Sequence, residues 1–276
     1  MPWKMASAGT FIAAKSVCAR PRIAGPMSDC LLLDAGNTNL KWAISRNGKM
    51  SAAGRVAYAD NDLMASLSQL WPLSTAPQRV LLAAVASEDR VQALRRWVES
   101  SWHVPLEPVL AQAQACGVVN GYTQPGQLGA DRWAALVAAR HLVPGALCVV
   151  DCGTATTLDV MDAEGRHRGG LIVPGLGLLR TSLFEHTAGV RGDAGASAAG
   201  LLACDTQAAV SIGSLQATVG FVERLQQEVR ELLGVPLTTI LCGGNAPDLL
   251  PLLAGDTRHE PDLVLKGLNI IAMNKS

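Results

Sequence analysis

No excess of either charge is present: 23 Lys and Arg residues stand against 23 Asp and Glu. A neutral chain lacks the basic surplus that contacts to a phosphate backbone require, so nucleic acid and an anionic membrane surface are disfavoured as partners. No CxxC occurs, and no Cys/His cluster has zinc spacing. The seven cysteines (Cys18, Cys30, Cys116, Cys148, Cys152, Cys204 and Cys242) are scattered, several of them inside apolar runs. They read as buried free thiols of a protein kept in a reducing cytosol. No charge-free apolar run reaches the roughly 18 residues that a membrane-spanning helix needs. There is no GxxxxGK[ST] and hence no P-loop, and no GxSxG. "PGLGLLR" opens like a dinucleotide fingerprint, but Arg180 stands where the third glycine belongs. The five histidines (His103, His141, His167, His186 and His259) form no ligand spacing and read as ordinary.

Residues 1–28 also carry little order signal. Their apolar piece, "AGTFIAA", is broken at once by Lys15, which makes a poor secretory core. They are expected to be a poorly ordered extension, with Met27 a candidate start.

What the chain does have is a repeated sentence. "LLLDAGNTNLKWAIS" (31–45) and "CVVDCGTATTLDVMD" (148–162) both run apolar residues into Asp-x-Gly, then small hydroxyl or amide residues, then alternating apolar positions. Gly48 follows Asp34 by fourteen positions, and Gly165 follows Asp151 by fourteen. The echo predicts a duplicated α/β domain: a first lobe over 29–144 and a second over 145–276, divided near Pro144-Gly145.

The expected elements follow from periodicity and punctuation. Residues 30–58 read as a hairpin system turning at Asn47-Gly48. "DNDLMASLSQLW" reads as a helix, "RVLLAAVAS" as a strand, and the segment after Ser87 as a helix capped by that serine. The Gly-rich stretch before Asp131 reads as a functional loop. A helix follows it, then the second set of strands. Residues 206–234 read as a long helix, interrupted near Gly213. The tail from Pro261 reads as a strand and a short helix.

A carboxylate at the end of a buried strand is costly unless a positive group meets it. Here there are two, Asp34 and Asp151. The glycine two residues on lets backbone amides approach closely, and lined-up amides make an anion nest. Asp34, Asn37, Thr38 and Lys41 would then serve Mg²⁺ and phosphates, with Asp151 and Thr154 as the mirror pair. Each turn alone could be an ordinary strand end; the pair favours a phosphate clamp. Asp131 opens a helix in "QLGADRW". It is either a carboxylate favoured by the helix dipole, with Arg132 a surface partner, or a general base for an acceptor hydroxyl. "ILCGGNAPDL" leaves room for a flat base or ribose beside the backbone.

In order, "DAGNTNLK", "GADR", "DCGTATT", "GGLIVPG", "DTQAAVSIG" and "CGGNAPDL" resemble the type III pantothenate kinases, a group similar to the Bvg accessory factor family. The resemblance spans about residues 29–270. It implies two duplicated RNase H-like lobes of the actin-like (acetate and sugar kinase/Hsp70/actin) fold, and a cytoplasmic homodimer. It also implies ATP with Mg²⁺, a monovalent cation (K⁺ or NH₄⁺), and transfer of phosphate to pantothenate, the first step of coenzyme A synthesis. The ATP-phosphate loop would be Asp34, Ala35, Gly36, Asn37, Thr38, Asn39, Leu40 and Lys41, with Thr154 also on ATP. The acceptor loop would be Gly129, Ala130, Asp131 and Arg132, with Asp131 the proton acceptor. Tyr122 and Thr206 would line the pantothenate pocket, and Asp151 would hold the monovalent cation. Asp205 stands where the family pattern has Asn, and "TAGVRGD" lacks its Leu-Pro. The alternatives are a kinase of another small alcohol on the same fold, and a nucleotide-binding accessory regulator of gene expression.

Overall fold

The computed structural model describes residues 29–58, 67, 76–187, 189–193, 195 and 200–274. The N-terminal extension, the helix expected within 60–71 apart from Leu67, and part of the Gly/Ala-rich 189–200 segment therefore lie outside the described residues.

The first sheet begins with three antiparallel strands, β1 (Cys30–Ala35), β2 (Asn39–Arg46) and β3 (Lys49–Ala57). Asn47 and Gly48 take positive φ between β2 and β3, the conformation an Asn-Gly hairpin turn demands. Then come β4 (Arg79–Ala84), helix α1 (Glu88–Trp102) and β5 (Leu106–Pro108). The spatial order is β3-β2-β1-β4-β5, with β4 and β5 parallel to β1. Ser87 stands at the N-cap of α1, but its side chain makes no capping bond; its carbonyl accepts from Arg90 and Val91 instead. A two-stranded ribbon, β6 (Gln114–Ala115) and β7 (Val118–Val119), leads to helix α2 (Ala130–Leu142).

The second sheet repeats the plan. β8 (Ala146–Cys152), β9 (Ala155–Met161) and β10 (His167–Pro174) form the antiparallel meander, turning through Gly165 at φ 83°. Helices α3 (Leu176–His186) and α4 (Thr206–Leu233) follow, then β11 (Leu237–Cys242), the short α5 (Ala246–Leu249), β12 (Thr257–His259) and α6 (Leu263–Asn274). The order β10-β9-β8-β11-β12 reproduces the first sheet strand for strand.

Two expectations are corrected. Helix α4 runs unbroken through Gly213, because 28 helical residues with Val210, Ile212, Val219 and Val222 buried outweigh the roughly 1 kcal/mol that one glycine costs a helix. The tail after Pro261 is one helix, not a strand and a helix: Leu263, Val264, Leu265, Leu268, Ile271 and Ala272 are all buried, and β12 precedes it.

The core has three parts, set by strand parity. On β1, Leu31 and Leu33 pack outward with α1, while Leu32 packs inward. On β8, Ala146, Cys148 and Val150 pack outward against α4, while Leu147 and Val149 pack inward. The inward residues of both sheets meet α2 and α6, which pack together in the middle layer. A Cβ on Gly267 of α6 would overlap the backbone of Ala134 of α2, so this crossing needs a glycine. Four of the cysteines, Cys30, Cys148, Cys152 and Cys242, are buried, Cys116 is half-buried and Cys204 exposed, and none of these six forms a disulfide among the described residues.

Candidate active site

Strand parity aims both repeated aspartates at the same space. Asp34 continues the inward series from Leu32, and Asp151 continues it from Leu147 and Val149. Asp131 enters the same space from the N-terminal turn of α2. Together they line a cleft of about 560 Å³ with Gly36, Asn37, Thr38, Asn39, Lys41, Gly153 and Thr154.

The first loop is held by its own backbone. Gly36 donates to the Asn39 carbonyl at 3.1 Å, Tyr58 donates to the Thr38 carbonyl, and Arg90 donates to the Asn37 carbonyl at 2.7 Å. Lys41 lies directly across the ladder from Asp34, its Nζ 4.0 Å from Oδ2. Ala35 and Leu40 belong to the loop but not to the cleft. Ala35 is buried and its carbonyl receives Val85 and Ala86, while Leu40 packs in the outer core. The second loop is crowded by two others. Gly175 donates to the Thr154 carbonyl, Asn245 donates to the Cys152 carbonyl, and a Cβ on Gly243 would overlap Asp151 Oδ1. Gly244 and Asn245, from the Gly-Gly turn, line the cleft. The two loops meet where Thr38 Oγ1 and Thr154 Oγ1 stand 2.8 Å apart.

The two clamps are not identical. Across the ladder from Asp34 stands Lys41; across from Asp151 stands the neutral Thr157.

Burial dominates the electrostatics. Desolvation raises the Asp34 carboxyl from its ordinary 3.8 to about 7, with Lys41 opposing and Asp151, Asp131 and Asp262 adding to the rise. Burial also raises Asp151, and the same cause raises Asp131 against the pull of the Arg132 backbone and guanidinium. Asp131 Oδ1 folds back to accept from the Arg132 amide at 2.7 Å. A Cβ on Gly129 would stand 2.6 Å from that oxygen, so a larger residue there would push the Asp131 carboxylate aside.

The buried Asp34 and the half-buried Asp131 and Asp151, facing Lys41 and the exposed Arg55, make a site short of positive charge. Among the described residues no three Asp, Glu, His or Cys side chains converge closely enough to hold a metal alone. The carboxylates of Asp34 and Asp151 are the kind of donor Mg²⁺ takes one or two of, its shell otherwise completed by water and phosphate oxygens.

The other expected residues lie apart from the cleft. Ala130, the first residue of α2, is buried. The Arg132 side chain is 7% exposed and grips Asp159, Nε to Oδ2 at 2.8 Å and Nη2 to Oδ1 at 2.7 Å; the expectation of a surface partner is corrected. Its Nη1 donates to the Tyr122 hydroxyl at 2.9 Å. Thr206 is exposed at the start of α4, which Asp205 caps by accepting from Ala208, and among the described residues nothing brings it to the cleft.

No motif in the sequence marks Arg55 or Asp159. Arg55 pairs in register with Lys41, so a register assignment for the hairpin would have found it. Asp159 is a charge inside an apolar strand at even spacing from Thr157, and such a charge requires a cation.

A family model described as type III pantothenate kinase matches residues 30–228. The type III pantothenate kinase of Nitrosococcus oceani is 39% identical over 251 residues, covering 89% of this chain and 94% of that protein. That of Halorhodospira halophila is 38% identical, covering 86% and 95%. Among solved structures, a conserved putative Baf family transcriptional activator from Campylobacter jejuni matches with a TM-score of 0.55 at 18% identity, covering 89% of this chain and 98% of that one. A putative N-acetylmannosamine kinase from Listeria monocytogenes matches at 0.50 and 14% identity, covering 90% and 99%. Two five-stranded sheets of one order around paired helices make this the actin-like fold of two RNase H-like lobes. By family match and by identity over most of its length, the chain belongs to the type III pantothenate kinases.

Proposed function

We propose that this chain is an ATP-dependent pantothenate kinase that forms 4′-phosphopantothenate. The lobes divide at 144/145, and the enzyme works as a cytoplasmic homodimer. The observation that carries the chemistry is the convergence of Asp34, Asp131 and Asp151 on one cleft beside the two hydroxyl-bearing loops.

Residues Asp34–Lys41 and Thr154 would bind the phosphates of ATP, the loop amides and Lys41 supplying positive charge. Asp34 would hold Mg²⁺, whose chemistry is to neutralise charge on the transferring phosphate. Asp151 would hold the monovalent cation. The support for this division is the ladder: Lys41 stands directly opposite Asp34, whereas Thr157 stands opposite Asp151, which Lys41 reaches from the other sheet. Gly129, Ala130, Asp131 and Arg132 would form the acceptor loop, with Tyr122 and Thr206 on the pantothenate side.

In the reaction the pantothenate hydroxyl oxygen bonds to the γ-phosphorus as the bond to the ADP oxygen breaks. The hydroxyl proton passes to Asp131. Burial makes that carboxylate a better base than an exposed one, though positioning contributes more than proton removal.

The experiment is ADP release on the purified chain with ATP, Mg²⁺ and K⁺, against a panel of small alcohols. Turnover that depends on pantothenate supports the reading. Turnover with another alcohol alone would make it a kinase of that alcohol, and nucleotide binding without turnover would favour the accessory-regulator reading.

A further inference from the structure

Behind Asp131 lies a closed side-chain network. Arg132, the next residue on α2, is held bidentately by Asp159 of β9 and donates to the Tyr122 hydroxyl. His167 of β10 stands with Nε2 2.8 Å from Asp159 Oδ1. A carboxylate oxygen only accepts, so Nε2 carries the hydrogen. The Tyr122 and His167 rings stack, centroids 5.7 Å apart and 18° from parallel. Asp159 and His167 are each 2% exposed.

The backbone is shaped around this network. The β9–β10 ladder slips between His167 and Gly169, so His167 pairs with Met161 and Gly170 with Asp159. Met161 and Asp159 are two apart and share the inward face. His167 and Gly170 are three apart and share it only because of the bulge. At Gly170 a Cβ would overlap both Asp159 Oδ1 and Arg132 Nη2, and at Gly121 it would overlap the His167 carbonyl. Two glycines and a bulge thus leave room for one arrangement.

Resting on the reading of Asp131 as the base, we infer that Asp159 and His167 are positioning residues for the transfer. They act through Arg132 and Tyr122, locking the first turn of α2 onto the second sheet so that Asp131 keeps its place in the cleft. Arg132 has five N–H donors and spends three here, so its first duty is to this strut. Freed from Asp159, its permanent charge would turn to another carboxylate, and Asp131 is the adjacent one.

The test compares wild type with Asp159→Asn, His167→Ala and His167→Gln. It reads kcat, the KM for ATP, binding of a fluorescent ATP analogue, and thermal unfolding. Asp159→Asn is expected to lose about 10²-fold in kcat, as a misplaced catalytic group does. His167→Ala is expected to lose about 10-fold in kcat. His167→Gln, whose amide can still donate to Asp159, should recover most of the His167→Ala loss. ATP binding and its KM should stay within about twofold throughout, since the phosphate loops do not touch this network. If Asp159→Asn does not fold, the two His167 variants decide alone. Folded variants with wild-type kcat would overturn the inference, as would failure of Gln to rescue or parallel loss of nucleotide binding. A wild type silent with pantothenate would overturn the functional reading, and this inference with it.

Discussion

Thr38 Oγ1 and Thr154 Oγ1, 116 positions apart in sequence, share a hydrogen bond of 2.8 Å across the cleft. Each follows one of the two strand-end aspartates, so the bond ties the duplicated loops at the place assigned to the phosphates. Replacing either threonine by valine keeps shape and removes the bond, worth about 1 kcal/mol. The KM for ATP should rise roughly 5- to 10-fold in Thr38→Val and in Thr154→Val. Steady-state kinetics on the two single variants and the double checks this; the double should cost little more than one single.

The ladder asymmetry gives a sharper test. Lys41 faces Asp34, and Thr157 faces Asp151. Thr157→Lys should supply in cis the charge that the monovalent cation supplies. Its turnover should lose most of its dependence on K⁺, read from a K⁺ titration. An unchanged K⁺ curve would move the cation away from Asp151.

The buried carboxylates predict how stability depends on pH. Asp34 is raised from 3.8 to about 7, chiefly by desolvation, so the folded state holds a proton that the unfolded chain releases. That contribution is fully present below about pH 4 and is lost as pH rises through about 7. Asp131 and Asp151 shift in the same direction. The melting temperature of the cation-free protein should therefore fall between about pH 4 and 7. Asp34→Asn should flatten that fall, and added Mg²⁺ and K⁺ should offset it.

Arg55 stands beside Lys41 on the neighbouring strand and reaches the same cleft. Like charges directly opposite in a ladder repel unless an anion lies between them. Arg55→Ala should raise the KM for ATP by about 10-fold, as loss of a partly exposed charge-assisted contact does, with kcat near wild type and a shallower dependence on salt.

The fold was legible in the sequence to the extent that it is local or repeated. The Asp-x-Gly echo and the matched glycine turns place both meanders, because period-2 alternation and an Asn-Gly turn act within a few residues. The packing of α2 against α6 was not legible. It depends on a contact between Gly267 and Ala134, 133 positions apart, that no local pattern encodes. At the site, Asp34, Lys41, Asp131 and Asp151 come from motifs that leave charge beside apolar strands, and Thr154 follows from the repeated turn. Arg132 looked like a surface residue because its partner, Asp159, arrives from β9, 27 positions away. Thr206 is exposed in the single chain, so a pantothenate contact there would require an element from outside the described residues of this chain.

The measurement that bears most directly on the account is ADP release from ATP and Mg²⁺, with and without pantothenate and K⁺, by wild type and Asp131→Asn. The account predicts turnover that needs both additions, and a fall of about 10²–10⁴-fold in kcat in the variant, with nucleotide still bound. Turnover in Asp131→Asn close to wild type, or release indifferent to pantothenate, would contradict it.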